Sequence, residues 1–194
     1  YVAVFGSQNT NVFVTAGWQR DGRDSRIYPT SGAFHRASGD LGTPLGDLQY
    51  FKLYYQYQRY FALTRHVSFM LNGEGGYGDG YNDKPLPFFK NFYAGGVNSV
   101  RGFDSYTIGP KDSNGDPTGG PRKALGNMEL LFPFPGLQND RSVRMSAFVD
   151  SGVVGETIEF TELRASAGLA LLWISPIGPL KIRCACSRAN HTPA

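Results

Sequence analysis

The stretch LQYFKLYYQYQRYFAL at 48–63 switches character at every residue. Phe51, Leu53, Tyr55, Tyr57 and Phe61 occupy odd positions, whereas the even ones include Lys52, Gln56 and Gln58. A period of two sends successive side chains to opposite faces of an extended strand, which constrains this segment to a sheet with one apolar and one polar side. The pattern recurs along the chain. HVSFMLNGEGGYG sets Val67, Phe69 and Leu71 against His66, Ser68, Asn72 and Glu74, and NVFVTAGWQ sets Val12, Val14, Ala16 and Trp18 against Asn11, Thr15 and Gln19. GNMELLF opposes Met128, Leu130 and Phe132 to Asn127 and Glu129. SVRMSAFVDSGVV opposes Val143, Met145, Ala147, Val149 and Val153 to Arg144, Ser146 and Asp150. LRASAGLALLW opposes Leu163, Ala165, Ala167, Leu169, Leu171 and Trp173 to Arg164, Ser166 and Gly168. GAFHRASGDLG at 32–42 alternates poorly, so its facing stays open.

Between these runs lie turn-forming stretches: RDGRDSRIYPTSG, GYGDGYNDKPLPFF, the long GPKDSNGDPTGGPRK, and FPFPGLQNDR. No helix of useful length and no internal domain boundary is predicted. Counting from Val12 predicts roughly eight strands with a doubtful N-terminal piece. Alternating short and long connections predict an all-β, antiparallel, up-and-down arrangement.

Two architectures share this signature. A soluble sandwich hides its apolar face, and a transmembrane β-barrel turns that face to lipid around a polar lumen, so periodicity alone does not separate them. Aromatics near strand ends (Trp18, Tyr50, Tyr60, Phe61, Tyr77, Trp173) fit interfacial girdles, and small residues such as Ala165 and Ala167 suit a lipid-facing surface. These features favour the barrel. Helical spans are excluded, since nothing approaches the roughly 18 to 20 uninterrupted apolar residues they require.

The net charge of +3 is a property of the tail: Lys181, Arg183 and Arg188 lie in a stretch without acids, and the preceding chain is balanced. No nucleic-acid partner is expected. Cys184 and Cys186 also sit there, leaving the first 180 residues without a thiol, which hints at an envelope location. Two cysteines on one strand face are poorly placed for a disulfide, and with only His191 nearby they lack the four ligands of a zinc site.

Several motifs fail on inspection. Gly73, Gly75 and Gly78 match G-x-G-x-x-G, but inside a predicted strand with no helix following. Asp112, Asn114 and Asp116 begin like a calcium loop, yet Pro117 stands where glycine is needed and Lys123 where glutamate is. Ser99 is not in a nucleophile elbow, and nothing places His35 or His66 beside it. No catalytic residue, cofactor or metal is expected.

The segment FYAGGVNSVRGFDSYTIGPK at 92–111 is more specific. With Val100, Arg101, Gly102 and Phe103 at its centre, it resembles loop six of the BamA family, within the superfamily of outer-membrane assembly and secretion barrels. Flanking matches follow in the family's order: DGRDSRIYPTSG, GYGDG, PFFKNFYAGG, MELLFPFPG, FVDSGVV and SAGLALLWISPIGPL. The resemblance covers about residues 11 to 182.

The resemblance implies a bacterial outer-membrane protein that assembles client β-barrels and is not an enzyme. Loop six, at about 91–123, would fold into the lumen and place Arg101 against Glu129 and Asp150, residues that the alternation puts on polar faces. Gly95, Gly96 and Gly102 would make the turns and Phe103 would pack on the wall. It further implies a sixteen-stranded parent with N-terminal POTRA domains, accessory lipoproteins and a weak seam that receives client strands. Residues 1–182 are then expected to be part of that barrel, within a longer protein, with both seam strands missing. RCACSRANHTPA departs from the family pattern, so 183–194 is expected to be an atypical, frameshifted tail. A secretion barrel of the same superfamily and a self-contained small barrel are the alternatives; the secretion branch more often carries tyrosine where Phe103 stands.

Overall fold

A computed structural model describes residues 9–136, 143–175 and 178–188. Eight strands form one antiparallel sheet in sequence order: β1 (Phe13–Asp21), β2 (Gly32–Gly42), β3 (Tyr50–Ala62), β4 (Ser68–Gly80), β5 (Arg122–Pro133), β6 (Val143–Gly155), β7 (Arg164–Ser175) and β8 (Gly178–Arg188). Each is long enough for the roughly 9 to 11 tilted residues that cross a bilayer. The doubtful N-terminal piece, part of the turn FPFPGLQNDR and residues 189–194 lie outside the described residues.

Burial decides between the two architectures left open by the alternation. The apolar face is the exposed one: Val14 is 61% exposed, Leu53 54%, Met128 53%, Val149 53%, Leu169 53% and Ile182 67%. The polar face is covered, with Asn72, Asn127, Ser146 and Asp150 all buried. A water-soluble sandwich would reverse these assignments, whereas a membrane barrel needs lipid against the first face and a polar interior at the second.

Of the aromatics assigned to girdles, Trp18, Phe61, Tyr77 and Trp173 do face outward. Tyr50 and Tyr60 do not. Both occupy even positions of β3, the inward parity, where Tyr50 is fully buried and Tyr60 reaches a small interior cavity. The facing of β2 is also settled. His35 meets outward Trp18, Tyr55 and Tyr57, and Asp40 on the other parity receives Thr15 Oγ1 at 2.8 Å and Lys90 Nζ at 3.5 Å.

β8 runs through the proposed boundary at 182, so residues 183–188 of the stretch set apart as a tail are paired with β7, from Ala170↔Arg183 to Ala165↔Arg188. Small residues permit this: Ala185 and Ser187 take the inward parity and Cys184 and Cys186 the outward one. Both thiols are free and exposed.

The hydrophobic cluster joins segment 81–121 to the inner wall. Ala94, Val100 and Ile108 from the segment pack with Leu125 of β5 and Val154 of β6, and Phe103 lies against them.

Candidate functional site

Segment 81–121 folds on itself before it meets the wall. Phe92 and Gly120 exchange backbone hydrogen bonds at 2.7 and 3.0 Å, Ile108 N–H donates to Ala94 O at 3.1 Å, and Gly96 N–H to Phe103 O at 3.0 Å. Gly95 and Gly96, at φ of 104° and 92°, sit in the left-handed half of backbone space that makes this reversal possible. The base of the loop is tied to β3 by Lys52, whose ammonium donates to Lys90 O at 2.6 Å and lies 4.1 Å from the Phe92 ring centroid.

At the apex Arg101 is 8% exposed. Its Nε and Nη2 donate to Asp150 Oδ2 and Oδ1 at 2.6 and 2.7 Å, a paired geometry that a planar guanidinium offers and an ammonium does not. The Arg101 backbone N–H adds a third bond to Asp150 Oδ2 at 3.0 Å, and Nη1 reaches Glu129 Oε2 at 2.9 Å. Asp150 is completely buried. Ser146 Oγ donates to Glu129 Oε1 at 2.5 Å, holding the second carboxylate in place.

The structure thus brings Arg101, Glu129 and Asp150 together, and adds partners that the sequence reading did not single out. The Phe148 ring lies beneath the guanidinium, 3.6 Å from Cζ to the centroid, a stacked cation–π contact. Its signal was an aromatic at an inward parity of FVDSG. Asn127 Nδ2 donates to Ser99 O at 2.8 Å, Asn72 Nδ2 to Asn127 Oδ1 at 2.8 Å, and Gln56 Nε2 to Asn72 Oδ1 at 2.9 Å. That file of amides connects the loop backbone to β5, β4 and β3. From the other side Arg183 Nη1 donates to Val97 O at 3.0 Å.

Two glycines set the depth of insertion. Gly102 has φ of 88°, and a Cβ there would lie 3.0 Å from Ala185 Cβ on β8. Gly152 leaves the space that Leu125 and Val100 share, since a Cβ on it would overlap Leu125 Cδ2 and come within 2.8 Å of Val100 Cγ2. Below the apex a cavity of about 130 Å³ remains, lined by Tyr28, Tyr60, Glu129, Arg144 and Arg183 together with Arg101. Both carboxylates are engaged by the guanidinium, so the arrangement suits holding a loop in place and supplies no free base or nucleophile.

Comparison with known proteins agrees with this architecture. The sequence model of the Omp85 superfamily domain matches residues 5–192. The outer membrane protein assembly factor BamA of Neisseria meningitidis serogroup B is 39% identical over 86% of this chain, and that of Nitratidesulfovibrio vulgaris 33% over 90%. The mouse sorting and assembly machinery component 50 homolog is 35% identical over 59% of it. The crystal structure of BamA from Haemophilus ducreyi lacking POTRA domains 1–3 superposes over 93% of this chain with a TM-score of 0.85 at 28% identity. The chain spans 25% and 22% of the two bacterial relatives and 39% of the solved chain. With its eight antiparallel strands matching part of an outer-membrane barrel and the domain match running almost from end to end, the chain belongs to the Omp85 superfamily.

Proposed function

We propose that this chain is the part of an outer-membrane assembly factor that carries loop six, and that the parent protein folds and inserts client β-barrels into the bacterial outer membrane. The observation that carries this reading is the clasp of Arg101 on Asp150 and Glu129, contacts suited to fixing a long loop against the inner wall. In this reading Arg101 is a latch. Phe148, Asn127 and Ser146 orient it, and the chemistry is backbone pairing in lipid, where an unpaired strand edge is costly and templates an incoming strand. The parent supplies the remaining strands of a sixteen-stranded barrel, its seam, and the POTRA domains through which accessory lipoproteins act.

The test replaces Arg101 by alanine in the complete protein, reconstituted in liposomes and supplied with an unfolded client barrel. Client insertion and the heat-modifiable mobility of the assembly barrel are then measured. Insertion should fall and the barrel should convert at lower temperature. Unchanged insertion with an unchanged barrel would remove the latch from the mechanism, and export of a soluble polypeptide in its place would favour the secretion reading.

A further inference from the structure

The outward face of β1–β4 carries a feature that the loop-six site does not use. Trp18, Leu53, Tyr55 and Tyr77 wall a groove of about 800 Å³ whose floor is Ala37 and Gly75. Over Gly75 there is nothing within 4 Å of where a Cβ would stand. Two residues further along the same faces, at the end of the sheet opposite loop six, stand Arg20, His35 and Tyr57, with Arg59 two residues beyond Tyr57. His35 is held there, with Nδ1 2.9 Å from Tyr55 Oη and its ring centroid 4.8 Å from that of Tyr57. Arg20 and Arg59 are exposed, on either side of it.

Charge separates this end from the other. Strand parity and contacts turn Asp21, Asp40, Glu74, Glu129 and Asp150 inward, and among the described strand residues the outward carboxylate is Asp79, at the loop-six end. Carboxylates near the arginines are occupied elsewhere: Asp21 binds Arg23, and Asp24 accepts from Thr30 and Ser31. Exposed Arg65, in the β3–β4 turn, adds a further positive charge. A pair of outward arginines at an interfacial aromatic belt, beside an apolar groove with an open floor, matches the two halves of one kind of molecule.

We infer that Arg20 and Arg59 form a headgroup site for an anionic phospholipid, whose acyl chain lies in the groove over Gly75. This rests on the outward face meeting lipid and is independent of the assembly role. Phosphate oxygens accept from the two guanidiniums, while Trp18 and Tyr55 flank the first methylenes.

The experiment is native mass spectrometry of the complete protein in detergent, exposed to equal amounts of phosphatidylglycerol and phosphatidylcholine. Retention of phosphatidylglycerol should exceed that of phosphatidylcholine by roughly five-fold per arginine, about twenty-five-fold for the pair. Arg20→Gln/Arg59→Gln should abolish the preference, and Lys111→Gln, on the exposed surface of loop six and away from the groove, should preserve it. Gly75→Leu meets no neighbour at its Cβ and should keep the heat-modifiable barrel while reducing retention of both lipids. Inorganic phosphate should fail to displace the lipid, because it gains nothing from the groove. Equal retention of the two lipids by the unaltered protein would overturn the site, as would a preference that survives the double substitution. Displacement by inorganic phosphate would overturn the groove's part in it.

Discussion

Replacing Asp150 by asparagine should loosen loop six far more than replacing Glu129 by glutamine, although both carboxylates touch the same guanidinium. Asp150 is fully buried and accepts three hydrogen bonds from Arg101, two of them paired and charge-assisted. Asparagine keeps one acceptor, places an amide N–H₂ where the second was, and leaves a buried guanidinium one carboxylate short. Removing one partner of a buried pair costs about 3 to 5 kcal/mol; because Glu129 and Phe148 still face the charge, about 3 is the expected loss. Glu129, whose side chain retains 16% exposure, gives Arg101 one bond, and glutamine preserves an acceptor for it, so about 1 kcal/mol is expected there. The assay is hydrogen exchange of the Gly96 and Ile108 amides, which are bonded within the loop and open with it. At 1.4 kcal/mol per decade, protection should drop by roughly 100-fold in Asp150→Asn and about five-fold in Glu129→Gln. Equal losses in the two variants, or full protection in Asp150→Asn, would refute the reasoning.

Other perturbations probe different contacts. Gly102→Ala forces a side chain into a left-handed conformation and against Ala185, costing about 1 to 2 kcal/mol, and should lower loop-six protection without altering the sheet's circular dichroism. Asn127→Ala strands Ser99 O and leaves the Asn72 amide only its 3.5 Å bond to Glu74 Oε1, with an expected loss of about 1 to 3 kcal/mol, seen as faster proteolysis within 97–118. In the turn between β1 and β2, partial desolvation works against ionising Asp24, and hydrogen bonds from the Thr30 hydroxyl and the Thr30 and Ser31 amides outweigh it, holding the carboxyl below its usual range. A depressed carboxyl adds stability above its unfolded value of about 3.9 and loses it as pH falls through the folded one. Exchange at the Thr30 and Ser31 amides should therefore show an extra increase in opening below about pH 4 that Asp24→Asn lacks.

What the sequence made legible followed from parity. Val67 through Leu71, Met128 through Phe132 and the run around Asp150 read correctly because one face is apolar without interruption, and that same parity had set Glu129 and Asp150 inward before any contact was known. Parity also assigned Tyr50 and Tyr60 inward, but grouping them with the girdle aromatics by nearness to strand ends overrode it. A tyrosine suits both a lumen and an interface, so residue type could not decide. β2 was opaque because Phe34 stands on its inward face and His35 on its outward one, the reverse of a simple polar rule. The continuation of β8 through Cys184 and Cys186 was hidden by composition: two cysteines and an arginine looked foreign, yet alternation persists there. Phe148 shares the inward parity of Asp150 two residues away on β6, whereas the file of amides from Gln56 to Ser99 is a product of register across strands, which spacing along one strand does not encode.

Whether Arg101 holds the loop inside the sheet is read most directly from thiol accessibility at position 100. In a complete protein carrying Cys184→Ser and Cys186→Ser, Val100→Cys is a small change at a fully buried site, and Ser113→Cys marks the exposed tip of the same loop. A membrane-impermeant maleimide should label Ser113→Cys quickly and leave Val100→Cys unreacted, and adding Arg101→Ala should expose Val100→Cys to the reagent. Labelling of Val100→Cys as fast as the tip, or protection that persists without Arg101, would contradict a loop held in the lumen by that arginine.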